Sequence, residues 1–136
     1  MKRTASAHWE GDLKTGKGNI STQSTILNKT QYSFKTRFED GAGTNPEELL
    51  AAAHAGCFTM ALGLGVSQAG FTATSLDTVA TVTLEGLDIT GVHLSVKGTV
   101  PNITAQQFND LVKGAEQGCI ISKAIKVPIT SDAELV

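Results

Sequence analysis

The feature that most constrains the fold is a long run of small and apolar residues in the middle of the chain, preceded by a helix-start signal. Asn45 is a favourable N-cap residue, Pro46 suits the first helical position, and Glu48 follows three residues after the cap. The helix predicted from this start runs to about Gln68. An apolar stripe recurs along it at steps of three and four: Leu50, Ala53, Cys57, Met60 and Leu64. We expect this stripe to face a packed surface.

Three glycines interrupt the same helix, at Gly56, Gly63 and Gly65. Each costs about 1 kcal/mol relative to alanine in a helix interior. Such a cost is most easily offset where another backbone approaches closely. The glycines therefore favour a crowded central helix, packed against its copy in a second subunit.

Shorter patterns predict strands before the helix. A strand end is expected at residues 9–12 and a strand at about residues 19–27. From Gln31 to Glu39 apolar and polar side chains alternate, which predicts a half-buried antiparallel strand with Arg37 on its polar face. The residues from Asp40 to Gly43 are expected to break this strand.

The second half of the chain adds strands and one more helix. Alternating patterns predict strands over residues 76–84 and 92–100. Thr104 and Gln107 form a capping-box pattern before a helix that stops near Gly118. A short helical turn at residues 120–124 and a last strand at residues 125–130 complete the set. We therefore predict an α+β fold with antiparallel sheets around a long central helix.

Length and charge exclude several classes of protein. The 136 residues suit a single domain over 1–136, and 11 basic against 13 acidic residues give a formal charge of only −2. Neither sign is clustered, so neither nucleic acid nor a membrane surface is an expected partner. The central run contains too many Gly, His, Ser and Gln residues to predict a membrane span. We expect a soluble, cytoplasmic protein.

The chain has two cysteines, Cys57 and Cys119. In a reducing compartment such a pair is consistent with buried inert thiols, a redox pair or a metal site. The metal site is disfavoured, because His8, His54 and His93 are scattered rather than paired at ligand spacings. His54 is interpreted as a packed or interface histidine.

A reactive thiol at Cys57 requires a nearby cation. It lies too far from the helix start to gain from the macrodipole, and the thiolate is the nucleophile. Arg37 is the candidate, held by the carboxylate of Glu47 or Glu48. Glu47 and Cys57 are ten residues apart on one helix, about 15 Å along its axis. A two-fold dimer, in which one subunit's Glu47 and Arg37 face the other's Cys57, is the most economical arrangement.

Cys119 offers a second step, since a sulfenic acid formed at one thiol condenses with a nearby thiol to a disulfide. Cys119 stands directly after a predicted helix end and opens a predicted helical turn. The spacing alone leaves open whether the two sulfurs meet.

These motifs resemble the OsmC/Ohr family of thiol peroxidases. The resemblance rests on the segment from Gly43 to Phe58, which contains Asn-Pro-Glu ten residues before Cys57, and on Gly118-Cys119 near the end. It implies an intertwined homodimer that reduces organic hydroperoxides without a cofactor and is re-reduced by a dithiol such as a lipoyl-bearing protein. Many relatives carry proline after the second cysteine, whereas this chain has Ile120.

The resemblance also implies a role for each site residue. Cys57 matches the peroxidatic cysteine and Cys119 the resolving cysteine. Arg37 matches the arginine that stabilises the thiolate and Glu47 the glutamate that orients it, with active sites at the dimer interface. An apolar lining is expected from Phe38, Phe58, Met60 and Leu64. The alternative function is a redox-sensing or binding protein with a regulatory Cys57–Cys119 disulfide and little turnover.

Overall fold

Two three-stranded sheets and one long helix make up most of the secondary structure in the computed structural model, which describes residues 1–39 and 41–136. The predicted strand break begins at Asp40, which lies outside the described residues. The chain divides into two compact units, residues 1–49 and 50–136. The mixture of helices and sheets confirms the predicted α+β class.

The first unit contains an antiparallel sheet of strands β1 (Ala5–Glu10), β2 (Lys17–Thr22) and β3 (Thr30–Tyr32), in that order. The strand predicted to continue to residue 27 ends at Thr22. There the backbone turns, because the N–H of Thr22 donates to the carbonyl of Leu27 over 2.9 Å.

The segment after β3 is helical, so the strand predicted for residues 31–39 is wrong beyond its first two residues. Ser33 caps helix α1 (Phe34–Phe38) with a capping box. The Ser33 hydroxyl accepts from the Thr36 N–H, and the Thr36 hydroxyl accepts from the Ser33 N–H. The rings at the two ends of α1 pack with centroids 4.8 Å apart. Residues four positions apart lie on the same face of a helix, so a helical turn accommodates the same aromatic spacing that suggested a strand.

Helix α2 (Pro46–Gln68) begins and ends as predicted. The side-chain oxygen of Asn45 accepts from the Glu48 N–H over 2.8 Å, which is the expected N-cap bond. The predicted packed stripe is wrong, because the helix buries a different face. The fully buried residues recur every four positions, one or two positions after members of the predicted set: His54, Phe58, Leu62 and Val66.

The second unit holds strands β4 (Ser75–Glu85), β5 (Asp88–Thr99) and β6 (Ile129–Leu135), in that order. Helices α3 (Ala105–Gly118) and α4 (Ile120–Ala124) connect β5 to β6. This helical crossover makes β6 parallel to β5, so the second sheet is mixed rather than wholly antiparallel. The last strand also starts later than predicted, directly after Pro128, which lacks the N–H for a sheet bond.

The hydrophobic core lies between α2, β5 and α3 in the second unit. Its fully buried side chains include Phe58, Leu94 and Phe108. The Phe108 ring lies so close to β5 that a Cβ at Gly98 would stand 2.4 Å from it, so glycine is required there. This core fixes one face of α2 and the end of α3, which carry the two cysteines.

The opposite face of α2 is apolar and open in a single chain. Met60 is 78% exposed and Leu64 60% exposed, and only 22% of the most apolar stretch of the helix is buried. By length and composition alone α2 is long and apolar enough to cross a membrane, a test that core helices of soluble proteins also pass. A helix that is apolar all round is normally covered on all sides.

Candidate active site

The first group of site residues is an ion pair within the first unit. Arg37 Nε donates to Glu47 Oε2 over 3.2 Å and lies 3.0 Å from Oε1. Arg37 therefore belongs to helix α1, not to the polar face of a strand. Of the two glutamates considered from the sequence, Glu47 is the partner, because the Glu48 carboxylate accepts from the Thr44 hydroxyl over 2.6 Å.

Local caps hold this pair in place. The Asn45 side chain, which caps α2 through its oxygen, donates through its nitrogen to the Thr36 carbonyl over 2.6 Å. One side chain thus ties α1 to the start of α2, so that Arg37 and Glu47 face each other. The Nε of Arg37 is engaged by the carboxylate. Its terminal NH₂ groups make no hydrogen bond to any described residue, which leaves two forked donors for an oxygen-bearing molecule.

A largely apolar, half-open groove adjoins the arginine. Aromatic rings dominate it, and those of Trp9 and Tyr32 lie 5.5 Å apart. The lining residues are Trp9, Leu13, Tyr32, Ser33, Phe34, Arg37 and Pro46. The sequence analysis did not assign these aromatics to a site. The predicted lining residue Phe58 is fully buried in the core, so it lines no open pocket, whereas Phe38 is 41% exposed.

The second group of site residues is the cysteine pair in the second unit. Cys57 is half-buried on α2 and packs against the core, while Cys119 is only 2% exposed. Burial raises the pKa of the Cys119 thiol, but hydrogen bonds from Ser122, the Cys57 thiol and the Ile121 backbone lower that pKa by more. The fold therefore places the two thiols close together, because Cys57 packs against the buried cluster that contains Cys119 and helps to lower the pKa of Cys119.

Cys119 occupies a junction between two helices. Its N–H donates to the Ala115 carbonyl over 3.0 Å and ends α3, and its sulfur accepts from the Ser122 N–H over 3.2 Å and caps α4. Ile120 is the first residue of α4, the position where proline is well tolerated because its N–H is not needed. The two capping bonds fix the Cys119 turn with isoleucine in the place of proline.

His54 and Ser122 complete this cluster. The His54 ring is fully buried, as expected for a packed histidine, and its Nε2 lies 2.7 Å from the Ser122 hydroxyl. Burial lowers the pKa of His54. The sequence analysis overlooked Ser122. Its position three residues after Cys119, at the place where an N-cap side chain finds its N–H partner, was the available signal.

These two groups have different chemical capabilities. Adjacent thiols in one protein interconvert with a disulfide, and a sulfenic acid at one is captured by the other. A fixed guanidinium stabilises negative charge on a sulfur or an oxygen. Within residues 1–39 and 41–136 no set of three or more His, Cys, Asp or Glu side chains is arranged to hold a metal ion.

The chain is similar to known proteins over most or all of its length. The OsmC-like protein family matches residues 39–134. The chain is 49% identical to Peroxiredoxin OsmC of Escherichia coli (strain K12), over 99% of this chain and 97% of that protein. It is 34% identical to Organic hydroperoxide resistance protein-like 2 of Staphylococcus epidermidis, over 65% of this chain and 64% of that protein.

A solved structure shares the fold at low sequence identity. It is that of an OsmC-like protein of Vibrio cholerae, with a TM-score of 0.78 at 14% identity, covering 98% of this chain and 99% of that one. The family match, the full-length identity and the shared fold agree. This chain belongs to the OsmC-like protein family.

Proposed function

We propose that this protein is a cysteine-based peroxidase that reduces organic hydroperoxides to alcohols. The observation that carries the proposal is the packing of the half-buried Cys57 against the buried cluster that contains Cys119, whose pKa Cys57 helps to lower. The proposal is supported by 49% identity to a protein named Peroxiredoxin OsmC and by similarity to an organic hydroperoxide resistance protein. The first name is that of a peroxiredoxin, and the second refers to organic hydroperoxide resistance.

The reaction requires two thiols with different exposure. The Cys57 thiolate attacks the terminal peroxide oxygen, so that an S–O bond forms as the O–O bond breaks and an alcohol leaves. Cys119 then attacks the sulfur of the Cys57 sulfenic acid, giving a disulfide and water. Cys57 is the half-buried thiol that a substrate can reach, whereas Cys119 is only 2% exposed. This difference supports attack by Cys57 and resolution by Cys119.

Arg37 and Glu47 supply the charge that this reaction needs. The guanidinium stabilises the Cys57 thiolate and the negative charge that develops on the departing oxygen. Glu47 holds it through Nε and leaves the terminal NH₂ groups to the reacting atoms. The aromatic groove beside Arg37 would bind the organic part of a hydroperoxide, which favours such substrates over hydrogen peroxide.

The complete active site is proposed to form between two copies of the chain. Glu47 and Cys57 lie ten residues apart on α2, about 15 Å along its axis, so one straight helix does not bring them together. The exposed apolar face of α2, with Met60 and Leu64, requires a cover. A second copy packed on this face covers it, and two-fold symmetry offers each Cys57 the partner's arginine and glutamate.

A dithiol reductant, of the lipoyl type, is the proposed partner that completes the cycle. It must attack one sulfur of the Cys57–Cys119 disulfide, and that of the half-buried Cys57 is more accessible than that of the buried Cys119. The first thiol of the reductant forms a mixed disulfide with the protein, and its second thiol displaces the protein cysteine. Both cysteines are thus released, and no mixed disulfide accumulates. The proposed location is the cytoplasm, where such reductants operate on reduced thiols.

Turnover tests this proposal directly. Catalytic amounts of protein with dihydrolipoamide are expected to consume cumene hydroperoxide faster than hydrogen peroxide. Cys57→Ser should abolish consumption, and Cys119→Ser should stop after one equivalent with a sulfenic acid that dimedone traps at Cys57. An inactive wild type that still forms the Cys57–Cys119 disulfide would instead favour a redox sensor.

Mixed dimers test whether the site is shared. Cys57→Ser and Arg37→Ala are each expected to be inactive alone. After co-refolding, half of the dimers are mixed and each holds one intact site if Cys57 and Arg37 come from different subunits, so roughly a quarter of wild-type activity returns. If both residues of a site came from one chain, no mixed dimer would hold an intact site and no activity would return.

A further inference from the structure

A hydrogen-bonded chain leads from the resolving thiol into the protein interior. The Cys119 thiol donates to the Ser122 hydroxyl over 3.2 Å, and that hydroxyl lies 2.7 Å from His54 Nε2. All three side chains are buried, with exposures of 2%, 8% and 0%. With the thiol donating to the Ser122 oxygen, the Ser122 proton is free for Nε2 in the tautomer that carries the ring proton on Nδ1, which is the tautomer that a relay requires.

Few charged groups surround this chain. Burial alone shifts the pKa of His54, and among the described residues Cys57 is the one titratable group that affects the pKa of Cys119. On the neighbouring helices, Lys123 is exposed and Glu116 is engaged by Lys113 and Ser131. Strand β5 contributes only apolar side chains to the core here. His54 is therefore the principal proton acceptor in contact with this end of the thiol pair.

We propose that Ser122 and His54 form a proton relay that activates Cys119 for resolution of the Cys57 sulfenic acid, an inference that rests on the proposed peroxidase function. Ser122 is a catalytic residue, because its hydroxyl contacts the reacting sulfur. His54 acts through Ser122, holding the hydroxyl and accepting its proton. The Ser122 N–H, also 3.2 Å from Sγ, stabilises the thiolate that results.

The step balances without an external oxidant or reductant. The Cys119 proton passes to Ser122 Oγ as the Ser122 proton passes to His54 Nε2. Cys119 Sγ then bonds to the Cys57 sulfur while the S–O bond breaks, so one sulfur is oxidised and the other reduced. The proton held by His54 returns through the Ser122 hydroxyl and combines with the hydroxide that departs from the Cys57 sulfur, which leaves as water.

Burial explains why a relay is needed at this position. A thiol with 2% exposure has little access to solvent bases, and an imidazole whose pKa is lowered by burial stays neutral and able to accept a proton near neutral pH. Among the described residues Nδ1 of His54 has no hydrogen-bond partner, so the relay is assigned to Nε2 alone.

Single-turnover kinetics separate this relay from the peroxidase step. Reduced protein is mixed with one equivalent of cumene hydroperoxide. The burst of alcohol reports attack by Cys57, and the loss of the second thiol reports resolution. Ser122→Ala and His54→Gln are each expected to slow resolution by about 100-fold, and the double variant is expected to be no slower than Ser122→Ala. The matched controls are Ser67→Ala and His93→Gln, both at exposed positions.

The pH profile distinguishes proton acceptance from packing. His54→Gln keeps a hydrogen-bonding group beside Ser122 but accepts no proton. Resolution in the wild type should therefore slow as pH falls through the pKa of His54, which burial lowers from 6.5, and that dependence should disappear in the variant. Resolution at the wild-type rate in Ser122→Ala, or an unchanged pH profile in His54→Gln, would overturn the relay. A wild type without an alcohol burst would overturn the peroxidase function itself.

Discussion

Removal of the exposed apolar side chains of α2 should dissociate the proposed dimer. The perturbation is the double substitution Met60→Ala and Leu64→Ala, at side chains 78% and 60% exposed in one chain. In an isolated chain these changes remove few contacts. In a dimer that covers this face they remove much of the apolar area that the two helices share.

The magnitude follows from the exposed fractions. Fully burying a leucine or methionine side chain is worth about 1.5–3 kcal/mol, so covering the exposed part is worth about 1–2 kcal/mol at Leu64 and slightly more at Met60. A two-fold interface contains each residue twice, which gives a total of about 4–8 kcal/mol. The dissociation constant of the dimer should then rise by a factor of about 10³–10⁶.

Sedimentation velocity over a wide range of protein concentration measures this effect. The wild type should sediment as a dimer, and the double variant as a monomer with an intact fold by circular dichroism. Peroxidase activity should fall in parallel, because the proposed site needs two subunits. The matched control is Leu87→Ala, a leucine 85% exposed in the turn between β4 and β5, which should leave the dimer unchanged.

Two results would refute the reasoning. A wild type that remains monomeric and active would show that one chain holds the whole site. A double variant that dissociates no more readily than the Leu87→Ala control would show that this face of α2 lies outside the interface.

Three further predictions test the core, the ion pair and the buried histidine. Leu62→Ala, at a fully buried position on α2, should lower the free energy of unfolding by about 2–5 kcal/mol in urea titrations, and a change below this range would mean that the site collapses around the cavity. Glu47→Gln should slow peroxide attack on the order of 10-fold in the single-turnover assay, because it removes the charged hydrogen bond between Glu47 and Arg37. An unchanged rate would show that Glu47 does not contribute to this step. Burial lowers the pKa of His54 from 6.5, so the unfolded chain binds its proton first as pH falls. The free energy of unfolding should therefore decline below pH 6.5, by at most about 1.36 kcal/mol per pH unit, and His54→Gln should remove that decline.

Local signals in the sequence predicted the elements that depend on neighbouring residues. The Asn45 cap, the start of α2 and the capping box at Thr104 are confirmed, because each is made by bonds within a few positions. The short helix at 120–124 is confirmed for the same reason. The helix in place of the predicted strand at Arg37 was missed because the aromatic spacing suits both structures, and the Ser33 cap decided between them.

The sequence by itself determined the helix that carries Cys57, the class of fold and, through motif resemblance, the family. Tertiary structure alone decided which face of α2 is buried, since that depends on how the helix is rotated against β5 and α3. It also selected Glu47 rather than Glu48 as the partner of Arg37. Above all it placed Ser122 between Cys119 and His54. A hydrogen bond across 68 positions leaves no periodic trace in a sequence, because it is formed by the packing of elements rather than by the elements themselves.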